Sequence, residues 1–315
     1  MRILKKAPGK DFTVLNLTDI HWDIVAWMPG NKEYETVVGT IQELIARTQP
    51  DLITVSGDLS WGMAVESYVA VADLLDSFGI PWAPVWGNHD YEKPEVNRGA
   101  VEEFASRPLC LFETGDPELG CGNYCLAIQE EGRTVAGLIM ADTHKGATFT
   151  DETGKEKGTW GRLYPNQLDW IREQGQLLGA EAALIQHIPI YGYHEAFGAA
   201  FLKELDPKAV TLEQSLNGSC WNPGYIDSIG VQHEGICSYP LEEGALDACL
   251  DAGVKAIIVG HDHNNNWIIR HRGIRFVFSL KTGPGCYWEP ELNGGTVIKI
   301  TSNGIGDIYH EYVAR

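Results

Sequence analysis

Short apolar runs alternate along this chain with stretches in which apolar residues recur every three to four positions. Residues 12–18 form a β-rich run that ends in a polar cluster, and residues 33–47 bring Val37, Ile41, Leu44 and Ile45 onto one helical face. The rhythm continues with a predicted strand over 51–56, a helix over 65–78 and a strand over 81–85. Further on come a strand over 134–140, a helix over 165–178, a strand over 182–186, a helix over 241–252 and a strand over 254–259. After that the period changes, and 267–270, 274–279, 296–300 and 305–312 read as a strand-only meander. The alternation predicts an α/β fold, a sheet covered by helices on its faces with a β-rich C-terminal part. No internal repeat, low-complexity tract or linker interrupts it, so residues 1–315 are expected to form a single domain. Two irregular stretches, 145–161 and 191–239, are long for a compact domain and are expected to roof a site.

Composition narrows the function classes. The chain has 315 residues, of which 44% are apolar, enough for a sizeable core. It carries 43 acidic and 24 basic side chains, a net charge of -19. That balance excludes a nucleic-acid partner, because a phosphate backbone needs a basic footprint, and any phosphate chemistry here needs bound cations. No apolar stretch of about 18 residues is present, so no membrane span is expected, and no long apolar segment follows Lys5-Lys6 to suggest a signal peptide. The seven cysteines are an odd number without zinc-type pairing, and are read as reduced and mostly buried in a cytoplasmic protein.

Candidate chemistry collects where predicted strands end, the place where open α/β sheets bind ligands. Residues 12–18 run into Asp19-Ile20-His21, and residues 51–56 into Gly57-Asp58. Residues 81–86 run into Gly87-Asn88-His89-Asp90, 182–186 into His187, and 254–259 into Gly260-His261-Asp262-His263. Taken singly, each is also an ordinary turn or a satisfied core polar group. Together, in order, they read as metal-ligand types on one edge of one sheet. A second D-x-H, Asp142-Thr143-His144, also follows an apolar run.

The series D-x-H, G-D, G-N-H-D, lone His and G-H-x-H resembles the calcineurin-like metallophosphoesterases. Gly57-Asp58-Leu59-Ser60 and Gly260-His261-Asp262-His263 are most similar to the purple acid phosphatase-like branch. The resemblance implies a β-sandwich flanked by helices, in α-β-β-α layers, and two divalent metal ions (Mn, Fe or Zn). It implies that Asp19, His21 and His263 hold one ion and Asn88, His187 and His261 the other, with Asp58 bridging. Such a pair suits in-line attack on phosphorus by a hydroxide bridging the ions. His89 is implied to face the substrate and protonate the leaving oxygen, with Asp90 holding its ring. The order of motifs leaves Asp142 and His144 outside the ligand set, in a supporting or structural role. One departure stands out: the branch has a ferric-ligating Tyr three residues after the bridging Asp, where this chain has Trp61. No charge-transfer colour and no obligate ferric site are therefore expected.

Aromatic residues crowd the motifs, and Trp22, Tyr91 and Tyr191 are the candidates for a substrate wall. His233 is a candidate contact for substrate phosphate. The implied function is a dinuclear metal-dependent phosphohydrolase acting on a small phosphorylated substrate, phosphomonoesters first. A cyclic-nucleotide or other phosphodiesterase shares the same metal core, and a non-catalytic scaffold on the same fold is the remaining alternative.

Overall fold

The computed structural model describes residues 1–23 and 28–313. Two sheets stack on each other. The first has five strands in the order β14-β13-β2-β3-β4. Its parallel core is β2 (Phe12–Leu17), β3 (Leu52–Ser56) and β4 (Trp82–Val85), and β13 (Gly294–Thr301) and β14 (Gly304–Tyr312) add on antiparallel beside β2. The second has seven strands in the order β1-β5-β6-β9-β10-β12-β11. These are β1 (Arg2–Lys5), β5 (Tyr124–Glu130), β6 (Arg133–Met140), β9 (Glu181–Ile185), β10 (Val254–Val259), β11 (Ile268–His271) and β12 (Ile274–Phe278). A separate hairpin pairs β7 (Gly146–Thr150) with β8 (Glu156–Trp160).

The period of two along each strand decides the layers. In β9, Ala183 and Ile185 join the core between the sheets, whereas Ala182 and Leu184 join a second core on the outer face. In β10, Ala256 and Ile258 point one way and Ile257 and Val259 the other. Strands apolar on both faces must be covered on both. Helices α1 (Lys32–Thr48), α2 (Val65–Ser77) and α3 (Pro94–Ser106) cover the five-stranded sheet. Helices α4 (Pro165–Leu178), α5 (Gly192–Ala200) and α7 (Ala245–Asp251) cover the seven-stranded one, while α6 (Leu212–Leu216) is a short turn between α5 and α7. The α-β-β-α sandwich implied by the resemblance is present. No helix among the described residues is long and apolar enough to cross a membrane.

Local signals set the helix ends. Asn31 caps α1 by accepting from the Glu33 amide at 2.8 Å. Pro165 opens α4, and Gly179 closes it with φ of 58°. The helix predicted over 241–252 starts later, at Ala245. The strand-only tail is not one meander: β11 and β12 join one sheet, β13 and β14 the other. Nor do the motif-bearing strands share one sheet. β2, β3 and β4 belong to the first and β9 and β10 to the second. Hydrophobic period identifies strands, but not the sheet a strand joins.

Candidate metal centre

Each motif lies just past the C-terminal end of a parallel strand, and the two sheets aim these ends at one another. Backbone ties fix the meeting. The Asp19 amide donates to Gly57 O at 3.1 Å and the His21 amide to Asp58 O at 2.9 Å within the first sheet. The Thr282 amide, beyond the second sheet, donates to Thr18 O at 2.9 Å. The backbone is strained here. Asp19, His21, Asp58 and His261 have φ of 53°, 50°, 51° and 73°, a region that non-glycine residues seldom occupy, at about 1–3 kcal/mol each. Two glycines allow the close approach. A Cβ on Gly57 would lie 2.4 Å from His187 Nδ1, and one on Gly260 would lie 2.4 Å from Asp19 Oδ2.

Three donor groups result among the described residues. Asp19, His21 and His263 form one, Asp19, Asp58 and His187 a second that shares Asp19, and Cys237, His261 and Asp262 a third beside them. His21 Nε2 and His263 Nε2 face each other at 3.2 Å, and Asp19 Oδ1 lies 3.3 Å from His263 Nε2. His187 Nε2 lies 3.1 Å from Asn88 Oδ1, while its Nδ1 donates to Ser56 O at 2.8 Å. That bond turns Nε2 to the site, where it can hold a proton shared with Asp58 or give its lone pair to a cation. Asp58 Oδ2 sits between the first two groups, 3.5 Å from His21 Nε2 and 3.3 Å from His187 Nε2. The His261 ring meets the His187 ring at 5.1 Å. Asp19 Oδ1 and His261 Nε2 are buried without a hydrogen-bond partner. Buried acceptors without donors are costly, and facing imidazole nitrogens repel unless a proton or a cation lies between them. The donor set thus fits divalent cations with mixed nitrogen and oxygen ligation.

Electrostatics agree. Burial pushes carboxyls up, but His187 with His21 holds Asp58 well below the usual range, and His187 with His263 does the same for Asp19. Burial pulls His187 down, yet Asp58 and Asp19 outweigh it and raise it to about 10. His261 is lowered to about 3, mainly by burial.

His89 opens a single turn of 3-10 helix (His89–Tyr91), and its amide donates to Asp58 Oδ1 at 2.9 Å. Its half-buried ring stands edge-on to Trp61 at 4.8 Å, and Trp61 also packs on His21 at 4.4 Å. Asp90 does not hold that ring. Its carboxylate turns into the interior and accepts from the Gly87 amide at 2.8 Å, the Tyr68 hydroxyl at 2.8 Å and the Ser60 amide at 3.2 Å. Burial and nearby Asp58 push Asp90 up to about 7.

Trp22, Tyr91 and Tyr191, expected to wall a substrate, do not line the cleft over the donor groups. Trp22 is buried in the main core against Tyr34. The Tyr91 hydroxyl donates to Asp142 Oδ2 at 2.8 Å, and Tyr191 borders a separate crevice with Arg162 and Tyr239. His233 is engaged by Glu289 at 2.9 Å and Val210 O at 3.0 Å. Residues adjacent in sequence point to different sides of the chain, so closeness to a motif was a poor guide. The observed cleft, about 1210 Å³, is lined by Asp58, Asn88, His89, His261 and His263 at its floor. Its walls include Trp160 of the β7–β8 hairpin, whose ring meets His261 at 4.6 Å, and Tyr287, stacked on His263 at 4.3 Å. Asp142 is structural: it accepts from Tyr91, from the Cys121 amide at 3.0 Å and from the His144 amide at 2.8 Å.

Sequence reasoning missed Lys281. It is buried, its Nζ donates to Asp19 O, and burial pulls it down to about 8. A lysine three residues past the apolar end of β12 was the available signal. All seven cysteines are free.

A model of the calcineurin-like phosphoesterase family matches residues 12–265. Among curated relatives, probable inactive purple acid phosphatase 14 of Arabidopsis thaliana is 25% identical over 86% of this chain and 70% of its own length. Phosphatase DCR2 of Saccharomyces cerevisiae is 27% identical over 95% of this chain, which spans only 52% of that relative. A dimetal phosphatase from Danio rerio shares the fold at a TM-score of 0.54, with 13% identity over 92% of each chain. GAP50, the anchor in the inner membrane complex of Plasmodium, does so at 0.52, with 13% identity over 96% of this chain and 84% of its own. The chain belongs to the calcineurin-like phosphoesterases, metal-dependent hydrolases of phosphoric esters.

Proposed function

We infer that this protein hydrolyses small phosphate esters, monoesters first, with two divalent cations held by Asp19, His21, Asp58, Asn88, His187, His261 and His263. The observation that carries the reading is Asp58 Oδ2, lying within 3.5 Å of a nitrogen in each of the two donor groups that share Asp19. Bound there, the cations would supply Lewis-acid polarisation of the phosphoryl group and of the attacking water. The chain supplies the rest. Asp58 offsets the repulsion of two adjacent charges, and its second oxygen is held by the His89 amide. His89 borders the cleft and is positioned to give a proton to the leaving oxygen. Lys145, the one ammonium among the described lining residues, is paired with Glu92 at 2.7 Å. Substrate charge is therefore left mainly to the cations, which favours small esters over polyanions on a chain of net charge -19.

Two of the similar proteins carry names, inactive phosphatase and anchor, that keep a scaffold reading in view. Against it, every donor position and His89 are present. The test is hydrolysis of p-nitrophenyl phosphate and its bis-ester with Mn²⁺, Fe²⁺ or Zn²⁺, then with chelator. Metal-dependent turnover of the monoester is expected, with Asp58→Asn inactive and depleted of metal. Faster turnover of the bis-ester would assign a diesterase, and inertia toward both and toward nucleotides with metal bound would assign a scaffold.

A further inference from the structure

We propose that Glu92 is a positioning residue for His89, fixing the tautomer and orientation in which its imidazole serves the leaving group. The proposal rests on the phosphohydrolase reading above and deepens it. Asp90, the neighbour that the sequence offered for this task, is turned away. The turn geometry supplies a replacement. Side chains three apart on a 3-10 turn eclipse each other, and the Glu92 amide closes this turn on His89 O at 3.2 Å. Glu92 Oε1 thereby comes to 3.3 Å from His89 Nδ1.

The other carboxylate oxygen of Glu92 accepts from Lys145 Nζ at 2.7 Å. Lys145 immediately precedes β7, so the root of the hairpin is tied through Glu92 to the His89 ring. All three side chains border the same cleft. Edge contacts with Trp61 at 4.8 Å and His21 at 5.3 Å limit the ring from its other sides. With Nδ1 turned to Glu92 at 3.3 Å, Nε2 is the nitrogen left without a protein partner among the described residues. A carboxylate holding the far nitrogen of a catalytic imidazole sets its tautomer and stabilises its charged form. In the step, water oxygen bonds to phosphorus as the ester P–O bond breaks. The leaving oxygen takes the proton from His89 Nε2, the attacking water releases its proton to solvent, and Nε2 is reprotonated from solvent after the alcohol leaves. Glu92 is ionised throughout and exchanges no proton.

The experiment compares Glu92→Gln, Lys145→Gln, His89→Ala and the Glu92→Gln/His89→Ala double variant on p-nitrophenyl phosphate and an alkyl phosphate, with Mn²⁺ at saturation. An alkoxide needs its proton; p-nitrophenolate needs little help. Glu92→Gln should lower kcat on the alkyl ester about 10–100-fold with little change in KM, and on the nitrophenyl ester only slightly. Lys145→Gln should do the same more weakly, and the double variant should lose no more than His89→Ala alone. Equal losses on both esters, additive losses, or a rise confined to KM would overturn the proposal. A second readout needs no turnover. Nitrogen-15 NMR of the imidazole should show His89 protonated on Nδ1 in the metal-free wild type and a mixture of tautomers in Glu92→Leu. An Nε2–H tautomer in the wild type would refute it. If the wild type binds metal and hydrolyses neither ester, the hydrolase reading fails, while the NMR result still decides the role of Glu92.

Discussion

His89 and Asp90 are neighbours in the chain and strangers in space. One ring borders the cleft, while the next carboxylate knits Gly87, Ser60 and Tyr68 beneath it. His89→Ala should therefore keep both cations and lose turnover about 10²–10⁴-fold, checked by elemental analysis beside kcat; loss of metal would make His89 a ligand instead. Asp90→Ala belongs to another class and should unfold the loops that it joins. The same divergence explains what was legible here. Candidate ligand types at strand ends could be read because the chemistry needs those residue types, and the structure joins Asp19, His21, Asp58, His187 and His263 in two groups that share Asp19, with Asn88 beside His187. The wall residues Trp22 and Tyr91 could not, because a sequence does not say to which side of a turn a ring will point. His310 illustrates a different cost. It is buried on β14, donates from Nε2 to Asn266 O at 2.6 Å, and burial lowers it to about 4. In the unfolded chain its value is about 6.5. As pH falls the unfolded chain takes the proton first, so this contribution is complete above about pH 6.5 and is lost between there and about pH 4. Urea denaturation of the wild type and His310→Gln over that range should show a shallower pH dependence in the variant; parallel curves would exclude the effect.

At the scale of elements, the hairpin β7–β8 stands apart. Its residues are all exposed or half-exposed, and among the described residues it pairs with no other strand. Two-stranded hairpins are marginal alone; this one leans on the body through Trp160 over His261 and Phe149 beside Tyr239 at 6.4 Å. Replacing residues 148–157 with a short Gly-Ser turn should leave metal content and thermal stability nearly unchanged while raising KM several-fold, measured with a phosphomonoester. An unchanged KM would mean that substrate does not reach this wall. The hairpin was hidden in the sequence because its residues carry little apolar contrast. Helix α3 was missed for a related reason: its buried stripe is Val96, Ala100 and Phe104, and a small central residue dilutes the period. Helices α1, α2 and α4 were readable because large apolar residues recur on their inner faces.

At the scale of the whole molecule, the sandwich was implied by the motif order, whereas the division into sheets of five and seven strands was not. β13 reaches β2 from nearly the full length of the chain away, and only tertiary pairing reveals that. Because both sheets contribute candidate donors, cation binding there would be coupled to the integrity of the fold. Chelator should lower Tm of the metal-loaded protein in one cooperative transition, since ligand at about 100 times Kd adds about 2.7 kcal/mol. Two separate transitions, one of them insensitive to metal, would show that the sheets melt independently.

The segment 114–118 is exposed and divides the proposed donors unequally. Asp19, His21, Asp58 and Asn88 precede it; His187, His261 and His263 follow it. A protease nick there would leave neither fragment with a complete set for either ion. The cations would then act as rivets through the seam, holding the cleaved halves together for as long as the metal stayed bound.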